Sequence, residues 1–154
     1  MNHLPPILDV EESGGLGPAA LGERVGAWLA AVRAATGRTP IVYTGRYVWN
    51  DLLAGQGSFA ADLWVAHWGA ACPVLPDAWG DWQFWQKGVA RGVPGIPGDA
   101  YLDVFDGRPA ELRAYARVPA VPEPETWATL LAGLGMLGMA ARRRGPAAPS
   151  PTGE

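Results

Sequence analysis

Two acidic residues, Asp9 and Glu11, close an apolar segment at residues 5–8 that predicts a buried β-strand. Successive strand side chains point to opposite faces, so Asp9 and Glu11 are expected to project from the same side, with Cβ atoms roughly 6.5–7 Å apart. Two carboxyl groups at this separation suit glycoside hydrolysis, in which one protonates the leaving oxygen and the other supports positive charge on the sugar carbon. The alternative is that Asp9 caps a turn and Glu11 is a solvated loop residue.

The composition narrows the class of protein. The chain has 154 residues, 49% of them hydrophobic, with 21 Gly and 15 Pro, which is typical of a loop-rich globular domain. Its net charge is −3 and no basic stripe is visible, so nucleic acid is not an expected partner. Cys72 is the single cysteine and excludes an internal disulfide. His3 and His67 are far apart and no His or Cys cluster has ligand spacing, so we expect neither a metal nor another cofactor.

The elements that position the acidic pair follow one another in an α/β order. Apolar residues at helical spacing predict a helix that begins near Pro18 and ends at Gly37, and residues 47–53 predict a second, short helix. Short β-rich segments at 40–44, 63–67, 82–86 and 101–105 predict further strands. A strand, a helix, a strand, a short helix and then strands with loops is typical of an α/β barrel.

The C-terminal part of the chain has a different character. Residues 118–125 predict an extended, Pro-rich linker. Residues 126–141 contain no charge and are followed by three arginines, which predicts an apolar transmembrane helix with its arginines on the cytoplasmic side. This segment is short for a span, which needs about 20 residues, but the alternative of a soluble amphipathic helix requires a polar face that the segment lacks. No N-terminal signal peptide is visible.

Segment 4–11 resembles the active-site strand of glycoside hydrolase family 25, the lysozymes that cleave bacterial peptidoglycan. Segments 40–44, 63–67, 85–86 with 93–96, and 102–107 resemble further motifs of that family in the same order. The resemblance implies a modified (β/α) TIM-like barrel, of which this chain begins at about the fourth strand. A barrel of that kind needs about 200 residues or more. We therefore expect residues 1–117 to form a partial barrel that lacks its first strands.

The resemblance also implies roles for the acidic pair. Glu11 would be the general acid that cleaves the β-1,4 bond between N-acetylmuramic acid and N-acetylglucosamine, with a pKa raised by apolar surroundings. Asp9 would stay ionised and stabilise the sugar cation, or steer the acetamido group of the substrate as an internal nucleophile. Retaining and inverting courses both remain open, because side-chain rotation at this spacing reaches either carboxyl separation.

The remaining site predictions concern substrate binding. Tyr43 is expected to hydrogen-bond the sugar, with a core tyrosine as the alternative. Four tryptophans offer flat faces for pyranose stacking, Trp64, Trp68, Trp82 and Trp85, and Trp85 is the one that we predict to stack. Strand parity places Trp82 and Trp85 on opposite faces. The family usually carries an acid at the position that Tyr101 occupies here. The predicted substrate-binding residues are Tyr43, Trp85, Gln86 and Asp103.

Residues 121–124, the apolar segment and the arginines resemble a PEP-CTERM sorting signal, which an exosortase processes in Gram-negative bacteria. We therefore divide the tail into a linker at 118–125, a sorting segment at 126–144 and a disordered extension at 145–154. The implied partners are peptidoglycan glycan strands, an exosortase-type enzyme and the inner membrane, and the implied location is the cell envelope or the outside of the cell. The alternative function is an inactive, surface-sorted remnant or a glycan-binding module.

Overall fold

The structure is a computed structural model that describes residues 3–56 and 59–116. The chain divides into two units, Met1–Arg117 and Val118–Glu154, and the described residues all belong to the first. Its elements in chain order are β1 (Ile7–Asp9), α1 (Pro18–Thr36), β2 (Ile41–Gly45), α2 (Arg46–Leu53), β3 (Asp62–Ala66), β4 (Phe84–Arg91), β5 (Asp99–Phe105) and α3 (Pro109–Tyr115).

The five strands form one sheet in the order β1-β2-β3-β4-β5. The first four strands are parallel, and β5 runs antiparallel to β4. Parallel neighbours need a crossover connection, which α1 supplies between β1 and β2, and α2 between β2 and β3. The predicted α/β class and its order of elements are confirmed, whereas closure into a barrel stays a prediction.

Helix α1 begins and ends at the residues that the sequence predicts. Pro18 occupies its first turn, where a missing N–H costs nothing, and Gly37 ends it with a left-handed φ of 66°. The Gly37 N–H donates to the Arg33 carbonyl at 2.9 Å. Residues four apart share one face of a helix and here turn inward. The buried residues of α1 are Leu21, Val25 and Leu29.

The sheet has two different faces, because alternate strand residues point in opposite directions. One face packs beneath α1, α2 and the loop that follows β3, and we call it the covered face. The other carries polar and aromatic side chains, and we call it the open face. The covered face includes Val10, Val42, Leu63, Val65 and Trp85. The open face includes Asp9, Tyr43, Trp64, Phe84 and Gln86, by the register of the strands.

The structure corrects the expectation for one pair of tryptophans. Because β4 begins at Phe84, Trp82 precedes the strand and does not follow its alternation. Trp82 instead packs edge-on against Trp85, with ring centroids 6.2 Å apart. The prediction that these two tryptophans lie on opposite faces is therefore wrong.

The predicted linker, apolar helix and disordered extension, at residues 118–154, lie outside the described residues. Within residues 3–56 and 59–116, no helix is both long and apolar enough to cross a membrane.

Candidate active site

The acidic pair lies where β1 ends. Asp9 is the last residue of the strand and pairs with Tyr43 of β2. Val10 is only 4% exposed, and its N–H continues the pairing by donating to the Tyr43 carbonyl at 2.9 Å. Since Val10 turns into the core, its two neighbours turn the other way. The structure accordingly places Asp9 and Glu11 in the wall of the same pocket.

This pocket, which we call the acid pocket, has a volume of about 300 Å³. Strand β1 supplies two residues of its wall, each of β2 to β5 supplies one, and Glu11 follows β1. Its mixture of carboxyl groups, aromatic rings and an amide matches the groups that proteins use to hold a polar ligand with flat faces. The lining residues are Ile7, Asp9, Glu11, Tyr43, Trp64, Gln86 and Tyr101.

The surroundings of Glu11 in the acid pocket raise the pKa of its carboxyl group. Partial burial raises its pKa above the usual range for glutamate, and the negative charge of Asp9, a hydrogen bond with the Asp9 side chain and the charge of Glu12 raise it further. Two neighbouring carboxylates repel, so a proton retained on Glu11 is favourable. Glu11 therefore keeps its proton to higher pH than an isolated glutamate does, which is the property that a general acid requires.

Gln86 organises the floor of the acid pocket. Only 6% of the residue is exposed, and its Oε1 accepts hydrogen bonds from the Tyr43 hydroxyl at 3.0 Å and from Trp68 Nε1 at 2.8 Å. Two donors to one amide oxygen fix the orientation of the amide. Burial raises the pKa of the Tyr43 hydroxyl, and the charges of Glu11 and Asp9 raise it further, so Tyr43 remains a donor.

Asp103 lies next to the acid pocket and contacts one of its lining residues, Trp64. Its Oδ1 accepts a 2.8 Å hydrogen bond from Trp64 Nε1, and its position in β5 is opposite Gln86 in β4. Burial raises the pKa of the Asp103 carboxyl, and the hydrogen bond from Trp64 opposes that rise. Asp103 thus contacts a pocket residue and is absent from the lining itself.

Trp85 is not placed with the other predicted site residues. Only 7% of it is exposed, and its Nε1 donates to the His67 carbonyl at 2.8 Å. The reason is register: Trp85 pairs with Val65 on the covered face, whereas Gln86 pairs with Ala66 on the open face. The expected stacking tryptophan is therefore a core residue, and Trp64 occupies the wall instead.

The predicted binding residues did not include three residues of the lining, Ile7, Trp64 and Tyr101. Trp64 had a usable signal, because it alternates with the buried residues Leu63 and Val65. Tyr101 had a partial signal, because it occupies a position at which the family usually carries an acid. Its approach to the pocket depends on the antiparallel pairing of β5 with β4 and on the register shift beside Gly88. As for metals, no group of three or more His, Cys, Asp or Glu side chains within the described part of the chain could hold an ion.

Comparison with known proteins identifies the class. Residues 1–96 match the family described as Glycosyl hydrolases family 25, and residues 120–144 match the PEP-CTERM protein-sorting motif. The chain belongs to glycosyl hydrolase family 25 and carries a PEP-CTERM motif at its C-terminal end.

Similarity to individual relatives supports membership of this family. Lysozyme M1 of Streptomyces globisporus is 33% identical over 121 residues, and the protein YegX of Escherichia coli strain K12 is 39% identical over 112 residues. These alignments cover 73% and 72% of this chain but 41% and 40% of the relatives. The chain thus spans about two fifths of the length of these relatives.

Solved structures show the same fold. The bacterial lysozyme from Streptomyces coelicolor superposes with a TM-score of 0.68 at 30% identity. A family GH25 lysozyme from Aspergillus fumigatus superposes with a TM-score of 0.62 at 26% identity. In both cases the match covers 73% of this chain and 56% of the other. The mixed α/β fold with its five-stranded sheet is therefore that of family 25 lysozymes.

Proposed function

We propose that this chain is a peptidoglycan hydrolase of the N-acetylmuramidase type, which cleaves the β-1,4 bond between N-acetylmuramic acid and N-acetylglucosamine. The observation that carries the proposal is the acid pocket, in which Glu11 has a raised pKa and Asp9 lies beside it. Family membership and the lysozyme relatives support the same substrate class.

The proposed reaction uses the two carboxyl groups differently. Glu11 donates its proton to the glycosidic oxygen as the bond from that oxygen to the sugar carbon breaks, so the leaving sugar departs as a neutral alcohol. The Asp9 carboxylate stabilises the positive charge that develops on the sugar carbon. Water then adds to that carbon, and the proton it loses returns to the Glu11 carboxylate.

Substrate binding is proposed for the other residues of the acid pocket. The Tyr43 hydroxyl and the Gln86 amide are held together at 3.0 Å and are suited to hydrogen-bond an acetamido group. Trp64, kept in place by its bond to Asp103, offers a ring for a pyranose to stack on. Asp103 is accordingly proposed as a positioning residue for Trp64. Trp85 is buried in the core and is not proposed to bind substrate.

A muramidase assay on purified cell walls tests the acid role. Glu11→Gln is expected to lower the rate of reducing-end release by about 10²–10⁴-fold, the usual contribution of a general acid. Glu12→Gln is the matched control, because it removes a neighbouring exposed glutamate that does not line the acid pocket. Equal release of reducing ends by the native chain and by Glu11→Gln would remove Glu11 from this role.

A second candidate function is glycan binding without hydrolysis. It is favoured by Tyr101, which lines the acid pocket at a position where the resemblance to the family leads us to expect an acid. A pull-down with insoluble peptidoglycan separates the two functions. A native chain that sediments with the wall and releases no reducing ends is a binding module, whereas release that depends on Glu11 identifies a hydrolase.

The sorting motif supports a proposal about location. We infer that an exosortase-type enzyme processes the tail at the inner membrane and that the protein then resides in the cell envelope or outside the cell. In a Gram-negative host with an exosortase, a C-terminal epitope tag should be lost from the mature protein. Deletion of residues 120–144 should preserve the tag, and tag loss despite this deletion would refute the proposal.

A further inference from the structure

A tryptophan outside the acid pocket contacts the residue at its floor. Trp68 follows β3, lies outside the lining of the acid pocket and is 53% exposed. Its Nε1 donates to Gln86 Oε1 at 2.8 Å, and the same oxygen accepts the Tyr43 hydroxyl. Because more than half of Trp68 stays in solvent, burial in the core does not explain its place, and the bond to Gln86 is its distinctive contact.

The backbone on both sides of Trp68 is tied to β4. The His67 N–H donates to the Gln86 carbonyl at 3.1 Å, and the Gly69 N–H donates to the Lys87 carbonyl at 3.2 Å. Lys87 is the bulged residue of β4, where the pairing with β5 shifts. Gly69 has a left-handed φ of 69°, which glycine adopts without strain. These backbone bonds hold the indole of Trp68 against the side chain of Gln86.

The chemistry of indole decides which way the Gln86 amide faces. An indole N–H only donates, so the amide atom 2.8 Å from Trp68 Nε1 must be the oxygen. The Tyr43 hydroxyl does not make this choice, because a hydroxyl either donates to an amide oxygen or accepts from an amide nitrogen. Trp68 is therefore the group that fixes the oxygen and leaves Nε2, with its two hydrogens, for a ligand in the acid pocket.

The orientation of the amide in turn decides the direction of the Tyr43 hydroxyl. Since Gln86 presents its oxygen, Tyr43 directs its single hydrogen to Gln86 at 3.0 Å, and its own oxygen offers lone pairs to the pocket. The reversed amide would donate to the Tyr43 oxygen and leave the hydroxyl hydrogen for a ligand. One indole N–H outside the pocket thus determines where an acceptor and a donor lie inside it.

We propose that Trp68 is a positioning residue, which acts through Gln86 to make Tyr43 a hydrogen-bond acceptor for an acetamido N–H of the substrate. The inference rests on the proposed function, in which the substrate carries acetamido groups. A sugar hydroxyl rotates and fits either direction of hydrogen bonding, whereas an acetamido N–H only donates. The direction that Trp68 sets therefore matters more for the acetamido group than for the hydroxyls of the glycan.

Ligand binding to the Glu11→Gln chain, which prevents turnover, tests the proposal. The two ligands are the disaccharide N-acetylmuramyl-β-1,4-N-acetylglucosamine and its analogue with a methyl group on each acetamido nitrogen. The analogue lacks the N–H, so the chain should bind the disaccharide about fivefold to tenfold more tightly, as expected for one hydrogen bond. Trp68→Phe should at least halve this preference, because the Gln86 amide is then free to reverse.

Trp79→Phe is the matched control. Trp79 Nε1 also donates over 2.8 Å, but to the Ala61 carbonyl just before β3, so the same substitution removes the same kind of bond elsewhere. The preference should be unchanged in Trp79→Phe. A preference that falls by less than half in Trp68→Phe, or that falls as far in Trp79→Phe, would overturn the proposal, as would a Glu11→Gln chain with no preference at all.

A double-mutant cycle tests whether Trp68 acts through Tyr43. Tyr43→Phe removes the acceptor and should abolish the preference, so adding Trp68→Phe to that chain should change the preference no further. A further fall in the doubly substituted chain would show that Trp68 acts on the ligand by another route and would contradict the proposal.

Hydrogen exchange of the Trp68 indole N–H provides a test without ligand. The bond to Gln86 should slow this exchange, and Gln86→Met, which removes the acceptor, should accelerate it. Equal exchange rates in the native chain and in Gln86→Met would mean that the bond does not orient the amide, and the proposal would fall.

The two proposals fail in different ways. If the proposed hydrolysis is wrong, the native chain releases no reducing ends, whatever Trp68→Phe does to ligand preference. If the role of Trp68 is wrong, Trp68→Phe keeps the preference, even in a chain that hydrolyses cell walls.

Discussion

The covered face and the open face of the sheet use the same strands for different purposes. In β3, Leu63 and Val65 are buried in the core, while the residue between them, Trp64, lines the acid pocket. In β4, Trp85 belongs to the core and the next residue, Gln86, belongs to the pocket. Neighbouring residues thus have opposite roles, because each step along a strand changes the face.

The difference between the two faces is clearest at Trp64 and Trp85. Trp64 and Trp85 each donate an indole N–H over 2.8 Å, the first to the carboxylate of Asp103 and the second to the backbone carbonyl of His67. The residue type and the bond length are the same, and the surroundings differ. Substitution should therefore affect glycan binding at position 64 and stability at position 85.

The largest expected effect is on stability at position 85. Trp85→Ala should lower the free energy of unfolding by about 3–5 kcal/mol, because it leaves a cavity beside Leu63 and Val65. Urea denaturation followed by circular dichroism measures this change. Trp64→Ala is the control and should cost less, since its ring lines an open pocket. Equal losses at the two positions would show that the faces do not differ as described.

The next effect is on glycan affinity. Trp64→Ala should weaken binding of a muramyl disaccharide by about tenfold, because the ring proposed to stack on the sugar is removed. Trp85→Phe, which keeps an aromatic ring in the core, should bind the same ligand with unchanged affinity. Calorimetric titration measures both variants. A loss of affinity in Trp85→Phe and not in Trp64→Ala would indicate that Trp85, rather than Trp64, binds the glycan.

A smaller effect concerns the opposite end of the open face. Tyr115 packs against Phe84 and Phe105, and its hydroxyl donates to Asp62 Oδ2 at 2.6 Å. Tyr115→Phe should lower the free energy of unfolding by about 1 kcal/mol, the usual net value of one hydrogen bond. Thermal unfolding measures it. Since Tyr115 does not line the acid pocket, unchanged glycan binding is the accompanying expectation, and weakened binding would contradict it.

The smallest expected change is a shift along the pH axis. Burial is the main cause of the raised Glu11 pKa, and Asp9 adds to it through charge and a hydrogen bond. Asp9→Asn removes the second cause, so the Glu11 pKa should fall and Glu11 should lose its proton at lower pH. Asp9→Asn also removes the proposed stabiliser of the sugar cation, so this shift is read from the protonation of Glu11 and not from a pH–activity profile.

A carboxyl-carbon NMR titration of Glu11 measures this shift independently of activity. Glu12→Gln is the control and should move the titration in the same direction by less, because the charge of Glu12 is the weakest of the contributions. A Glu11 pKa that rises in Asp9→Asn would show that Asp9 acts on Glu11 in another way.

Local patterns determined much of the fold. Helix α1 follows from Pro18, the apolar spacing and Gly37, and these signals lie within one continuous segment. The shared direction of Asp9 and Glu11 follows from strand alternation alone. Tyr43 and Gln86 were predicted as polar residues within β-rich segments, and both line the acid pocket.

Tertiary structure decided which of these residues meet. The β3–β4 register pairs Trp85 with Val65, and the antiparallel return of β5 brings Tyr101 to the acid pocket and Asp103 to Trp64. A one-residue change of register exchanges the two faces of a strand, and register depends on contacts between segments that are distant in the sequence. The sequence by itself therefore determined the acidic pair, whereas only the assembled sheet decided what surrounds it.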